Sequence, residues 1–300
     1  MSENTRLWVW FIFNSGLRPP RAKALLARWT SQGAELEQVL AQLPQAAAQW
    51  GLTPEEAEAL RPLPAELPDI PAVRWDEPGY PRGLKLRLKE IMRPALLFVT
   101  GAPALLGRPL VYLPPEEWDA AGQEQAREAV GMLVGEPVLP AAFEGSMAAE
   151  LLVEELSSSE GEALLWLRGG SAAWQPTPTQ QHLLEAQRLV ALTPLPPPAP
   201  PIPEWMPFLE QVALAAADFV LYQRGVEEAL DGLPRAHYHE VERLAQWLDT
   251  LSLPAEAAEV PSSGVTPETP TADLDPEEVL ARLEKVGRVP AKLRQRLRKT

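Results

Sequence analysis

The chain of 300 residues contains no cysteine. Disulfides, thiolate metal sites and cysteine nucleophiles are excluded, and a reducing compartment is compatible with the composition. Histidine is nearly as scarce. His182 stands alone, and His237 and His239 flank Tyr238 at a spacing that turns them to different faces of a helix. No set of donors suited to zinc follows from that spacing. No Gly-x-Ser-x-Gly elbow, P-loop or zinc motif is present. Long apolar runs are also missing. The patch from Leu7 to Phe13 is too short to span a bilayer, and it has neither a basic leader nor a small-residue cleavage site. These absences point to a cytoplasmic protein away from membranes, with no metal, no cofactor and no catalytic constellation.

What is abundant is proline and acid. Of the thirty-four prolines, eleven crowd into two connectors, 62–71 and 193–203. The net charge of −14 is unevenly spread. From Pro114 to Val260 there are 24 acidic against 6 basic residues, a net −18. The segment Arg82 to Arg93 is basic, and Arg282 to Thr300 carries 8 basic residues and one acidic, a net +7. Affinity for DNA comes mainly from Lys and Arg neutralising phosphates, so a large acidic region works against nucleic-acid binding.

The periodicities divide the chain into four parts. Residues 1–61 read as a small all-helical module; Leu25, Leu26 and Trp29 recur at helical spacing, and Thr53-Pro54-Glu55-Glu56 is a helix start. Residues 72–252 alternate short apolar runs bounded by Gly and Pro with helical segments, the pattern of a parallel α/β sheet. Strands are expected at 73–75, 95–100, 109–113, 137–142, 163–167, 189–192 and 219–222, and a helix over 236–251. Residues 253–275 are rich in Pro, Ser, Thr and Glu and read as a disordered linker. Residues 276–300 read as a short basic helix with Asp275 as its cap.

The stretch Val73 to Pro115 carries a resemblance. Its order of Tyr80-Pro81, Leu84, Ile91, Pro94, Gly101, Leu106 and Arg108-Pro109 is similar to the opening of the Rossmann-like domain in the DNA-processing protein A (DprA/Smf) family. The likeness extends more loosely over residues 8 to 230. It implies an N-terminal module of the helix-hairpin-helix type and a role with single-stranded DNA and a recombinase. In that family the first core strand leads into a Gly-Ser-Arg turn. Here the text is Leu113-Pro114-Pro115-Glu116. Where the family has an arginine, an aspartate and a histidine in a Gly-Ala-rich motif, this chain has Glu144, Met147 and Leu151. Where it has two arginines and an asparagine, this chain has Phe208, Leu209 and Glu210. Gly145, Ala148, Ala149, Pro207 and Asp218 remain in step. Small packing residues are kept and polar contact residues are lost.

The candidate residues follow. Arg18, Arg21 and Lys23 beside Gly16-Leu17, Lys85 and Arg87 in the basic segment, and Lys292, Arg294, Arg296 and Arg298 in the tail are candidates for nucleic-acid contact. The alternative is a packing module and a tail with solvated charges. Arg168-Gly169-Gly170-Ser171, a glycine-bearing strand-to-helix turn, is the candidate for a phosphate or nucleotide. The expected fold is α/β: a Rossmann-like, mostly parallel sheet flanked by helices, with a helical N-terminal module and a short C-terminal helix. Two functions fit. One is a non-enzymatic DprA-like protein with degenerate DNA-binding motifs, acting through a protein partner or a homo-oligomer, with weak contact to single-stranded DNA. The other is a nucleotide-binding or nucleotide-processing enzyme using the Arg168 turn.

Overall fold

The computed structural model describes residues 3–67, 69–90, 92–223 and 233–252. The expected linker at 253–275 and the basic helix at 276–300, with Lys292, Arg294, Arg296 and Arg298, lie outside the described residues.

Four helices open the chain: α1 (Glu3–Phe13), α2 (Pro19–Ser31), α3 (Leu36–Ala46) and α4 (Pro54–Ala59). Pro19 and Pro20 sit in the first turn of α2, where backbone N–H groups have no intrahelical acceptor. The face of α2 that sequence periodicity marks is the one buried: Ala22, Leu25, Leu26 and Trp29. Thr53 and Glu56 form the reciprocal capping box expected at the start of α4. Gly16 has φ +93, and a Cβ there would lie 2.1 Å from the Ala59 carbonyl oxygen, so this turn needs glycine.

Eight strands form one sheet: β1 (Ala72–Arg74), β2 (Leu96–Gly101), β3 (Leu110–Leu113), β4 (Leu139–Phe143), β5 (Ala163–Trp166), β6 (Leu189–Thr193), β7 (Phe219–Tyr222) and β8 (Arg235–His237). Their spatial order is β1-β2-β6-β5-β4-β3-β7-β8. Strands β3 to β8 run parallel, and β2 and β1 close one edge antiparallel. Every residue of β3, β4, β5, β6 and β7 is buried, as expected for strands covered on both faces. Helices α5 (Arg82–Arg87) and α9 (Met206–Ala216) cover one face. Helices α6 (Ala120–Leu133), α7 (Met147–Ser158), α8 (Pro178–Glu185) and α10 (Val241–Ser252) cover the other.

Two sequence expectations need adjustment. The segment 236–251 is not one helix: β8 takes Arg235 to His237, and α10 begins at Val241. Three residues are too few to reveal a strand period, and pairing with β7 decides the outcome. The N-terminal helices also do not hold a core of their own. Trp8, Phe11 and Trp29 share a cluster with Ala72, Ala95, Leu96 and Phe98. In β2, Leu96 and Phe98 face this cluster while Leu97 and Val99 face the α5–α9 side, the strand alternation of period two. Residues 1–251 form one compact unit.

The chain moves outward through β3, β4, β5 and β6, then returns to the far side of β3 with β7. Asp218 fixes that return: its N–H donates to the Leu110 carbonyl (2.7 Å) and its carboxylate accepts from the Leu110 N–H (2.9 Å). The direction of winding reverses between β3 and β7. In open α/β sheets the crevice outside the carboxyl ends of the strands at such a reversal is where ligands bind.

Candidate functional site

The carboxyl ends of the parallel strands place Glu116 after β3, Glu144 after β4, Arg168 after β5 and Gln223 after β7. Helix α9 precedes β7 and runs antiparallel to it, so its amino end brings Glu210 to the same edge. Glu116 accepts a hydrogen bond from the Gln223 N–H (2.7 Å), and Glu144 accepts from the Arg168 N–H (3.4 Å). Burial pushes the Glu210 carboxyl above its ordinary range, and the nearby Arg168 guanidinium opposes that rise. Several buried polar atoms have no hydrogen-bond partner: the Tyr112 hydroxyl and Trp166 indole N–H on the α5–α9 face, the Tyr238 hydroxyl and Trp118 indole N–H on the other face, and Nε of Arg168. Both tyrosines are raised well above their ordinary pKa, first by burial. For Tyr112 the negative charges of Glu210 and Glu116 add to the rise; for Tyr238, Glu116 does so. The carboxyl edge of the sheet therefore carries Arg168 with Glu144 and Glu210 beside it, and Glu116 close to Tyr112 and Tyr238.

The chemistry follows from that balance. A phosphate approaching Arg168 meets Glu144 and Glu210 as well, and like charges in partly buried surroundings repel more strongly than in water. Among the described residues no group of three or more His, Cys, Asp or Glu is arranged to hold a metal ion. No described helix is long and apolar enough to cross a membrane.

The residues singled out in the sequence are not brought together. Arg21 donates to Glu56 (2.6 Å) and to the Gly51 carbonyl (2.7 Å), which ties α2 to α4. Lys23 donates to the Glu90 carbonyl, and burial, helped by Arg93, lowers its pKa to about 8. Arg18 is exposed just before α2. Lys85 lies over the Tyr80 ring at 5.8 Å. Arg87 donates to the carbonyls of Ala215 (3.0 Å) and Ala217. It thereby caps the end of α9, where backbone acceptors have no helical donor. Arg87→Ala is expected to cost about 2 kcal/mol, the scale of charged hydrogen bonds. A thermal melt should show the loss, while affinity for single-stranded DNA should change less than about twofold, the exposed-charge scale.

The Arg168–Ser171 turn is closed over by the proline-rich loop that follows β6. Gly170 N–H donates to the Ala199 carbonyl (2.7 Å) and Ala172 N–H to the Pro197 carbonyl (3.0 Å). Those two donors are spent on the loop, where a phosphate cradle would need them open. Phe208 and Leu209, standing where the family has arginines, pack against the core; Leu209 is fully buried and Phe208 partly so. The buried tyrosines and indoles escaped the sequence reading. The only available signal was a tyrosine in an otherwise aliphatic strand, Tyr112 within Leu110–Leu113.

No protein-family model matches the chain, and no curated protein matches it. Among solved structures, DNA processing protein A (DprA) from Streptococcus pneumoniae superposes with a TM-score of 0.55 at 15% identity, over 72% of this chain and 77% of its own. The fold is DprA-like. DprA from Helicobacter pylori, whose structure is described by its single-stranded DNA binding mode, matches with a TM-score of 0.41 at 14% identity, over 52% of this chain and 70% of its own. The likeness to the S. pneumoniae DprA concerns the fold. The charges of the crevice are this chain's own, and within the DprA-like sheet they are predominantly acidic.

Proposed function

We propose that this is a non-enzymatic, DprA-like protein of DNA processing that works by binding another protein or further copies of itself, with weak single-stranded DNA contact. One observation carries this reading: Glu144 and Glu210 lie beside Arg168, and Glu116 lies near Tyr112, along the carboxyl edge of the sheet, where a nucleic-acid or nucleotide ligand would need cations. The engagement of Arg21, Lys23 and Arg87 in bonds that hold helices together supports it, since those cations already serve the fold.

Fluorescence anisotropy with a labelled thymidine oligonucleotide and the full chain tests the reading. At near-physiological salt the dissociation constant should be weaker than about 10 µM, the range of non-specific association. Binding in the nanomolar range would overturn it. Any binding at low salt is expected to vanish when the chain ends at Pro270, because the basic residues of the tail are then absent.

A further inference from the structure

The two ends of α9 carry exposed ledges of opposite charge. At its carboxyl end α5 packs so closely that a Cβ on Gly83 would lie 2.3 Å from the Ala215 carbonyl oxygen. This contact leaves Arg82, Lys85, Leu86 and Lys89 exposed. Arg93 folds the following segment back onto α5 by donating to the Lys85 (2.7 Å) and Leu88 (3.2 Å) carbonyls, which sets Met92 beside it. Residues 82–93 hold five basic residues and one acidic, a net +4, inside a chain of net −14. At the amino end of α9 stand exposed Glu204 and Trp205, with half-buried Glu210 about one turn into the helix. An α-helix of this length separates the ledges by about 16 Å. Among the described residues the exposed large apolar side chains are Leu63, Leu86 (68% exposed), Met92 (38%) and Trp205 (37%). Three of these four lie on the two ledges.

We propose that the ledges bind each other between copies of this chain, the basic, Leu86-bearing ledge of one molecule on the acidic, Trp205-bearing ledge of the next. Apolar anchors within a charged surround are the anatomy of a protein interface, and opposite charge selects the partner. Pairing like with like would set basic ledge against basic ledge. The complementary contact is head-to-tail, so it extends past a dimer unless the rotation closes a ring. This inference rests on the reading that the protein works through protein association, and names a second copy as the partner.

Sedimentation velocity on the full chain over a concentration series decides it. The wild type should grow in mass with concentration at low salt and shrink toward the monomer at high salt. Lys85→Ser/Leu86→Ser/Lys89→Ser removes one ledge and Glu204→Gln/Trp205→Ser the other. Each variant alone should stay monomeric, and both should melt within a few degrees of the wild type because the altered side chains are exposed or half-exposed. An equimolar mixture of the two should form a one-to-one dimer and nothing larger. Only a contact between unlike surfaces gives that pattern. A wild type that is monomeric at every concentration, variants that associate like the wild type, or a mixture that stays monomeric would each overturn the proposal. The same samples go to the oligonucleotide titration. A monomeric chain that does not bind DNA rejects the ledges and leaves the proposed function standing. Nanomolar DNA binding by a chain that assembles as described rejects the proposed function and leaves the ledges.

Discussion

Glu144→Gln combined with Glu210→Arg is expected to raise affinity for a single-stranded thymidine oligonucleotide by about 30-fold at low salt, the effect of roughly 2 kcal/mol. The wild-type crevice holds Arg168 among carboxylates. The double variant removes two negative charges and adds one positive charge at the point where the sheet reverses its winding. One further neutralised phosphate should steepen the salt slope by about 0.7, the value per contact for a single strand. The fold should tolerate the change. The amide introduced by Glu144→Gln would still offer an oxygen to the Arg168 N–H, and at the half-buried Glu210 position a longer arginine can carry its charged end out to solvent. Lys85→Ser/Lys89→Ser on the same background separates the effects, because those lysines lie at the other end of α9. If the double variant binds no better than the wild type, then the acids are not what keeps DNA out. Access to the crevice would then be the obstacle, and the electrostatic basis of the proposed function would fall.

The sheet was legible because its strands are fully buried. Leu110–Leu113, Ala163–Trp166 and Phe219–Tyr222 are short apolar runs between turn residues, the pattern of strands covered on both faces. The helix starts at Pro19 and Thr53 were legible for local reasons, a missing donor and a capping box. Tertiary partners were not. Arg87 looks like a surface cation in the sequence, yet its acceptors lie 128 and 130 residues away. Lys23 reaches across to Glu90 in the same manner. The influence of Tyr112 on Tyr238 was hidden too, because β3 and the end of β8 are separated in the chain and come near each other only through β7. The resemblance to DprA marked where the polar positions had changed. It did not show that Glu144 and Glu210, 66 residues apart in the chain, would flank the same arginine.

Gly170→Ala is expected to be among the most damaging single-atom additions in the chain. A Cβ there would lie 2.1 Å from the Pro196 carbonyl oxygen and 2.3 Å from that of Pro197. Both are backbone atoms, so no side chain can swing aside. The loop must move, and with it Leu195 and Ala199, which are buried in the core on the α5–α9 face. Gly169 stands under the same loop, 3.0 Å from the Ala199 carbonyl oxygen by the same measure, so the strain has little room to spread. Overpacking against backbone costs about 3 kcal/mol. For a unit of this size that is a fall in Tm of roughly 8 °C. The two readings of this turn then part. If it serves to lock the proline-rich loop, ATP, ADP and NAD leave the wild-type Tm unchanged and Gly170→Ala lowers it by the stated amount. If it cradles a phosphate, a nucleotide raises the wild-type Tm by mass action and the variant loses that rise. The Gly170 and Ala172 donors already committed to Ala199 and Pro197 favour the lock. A nucleotide-dependent rise in Tm that Gly170→Ala abolishes would return the chain to the nucleotide-binding class.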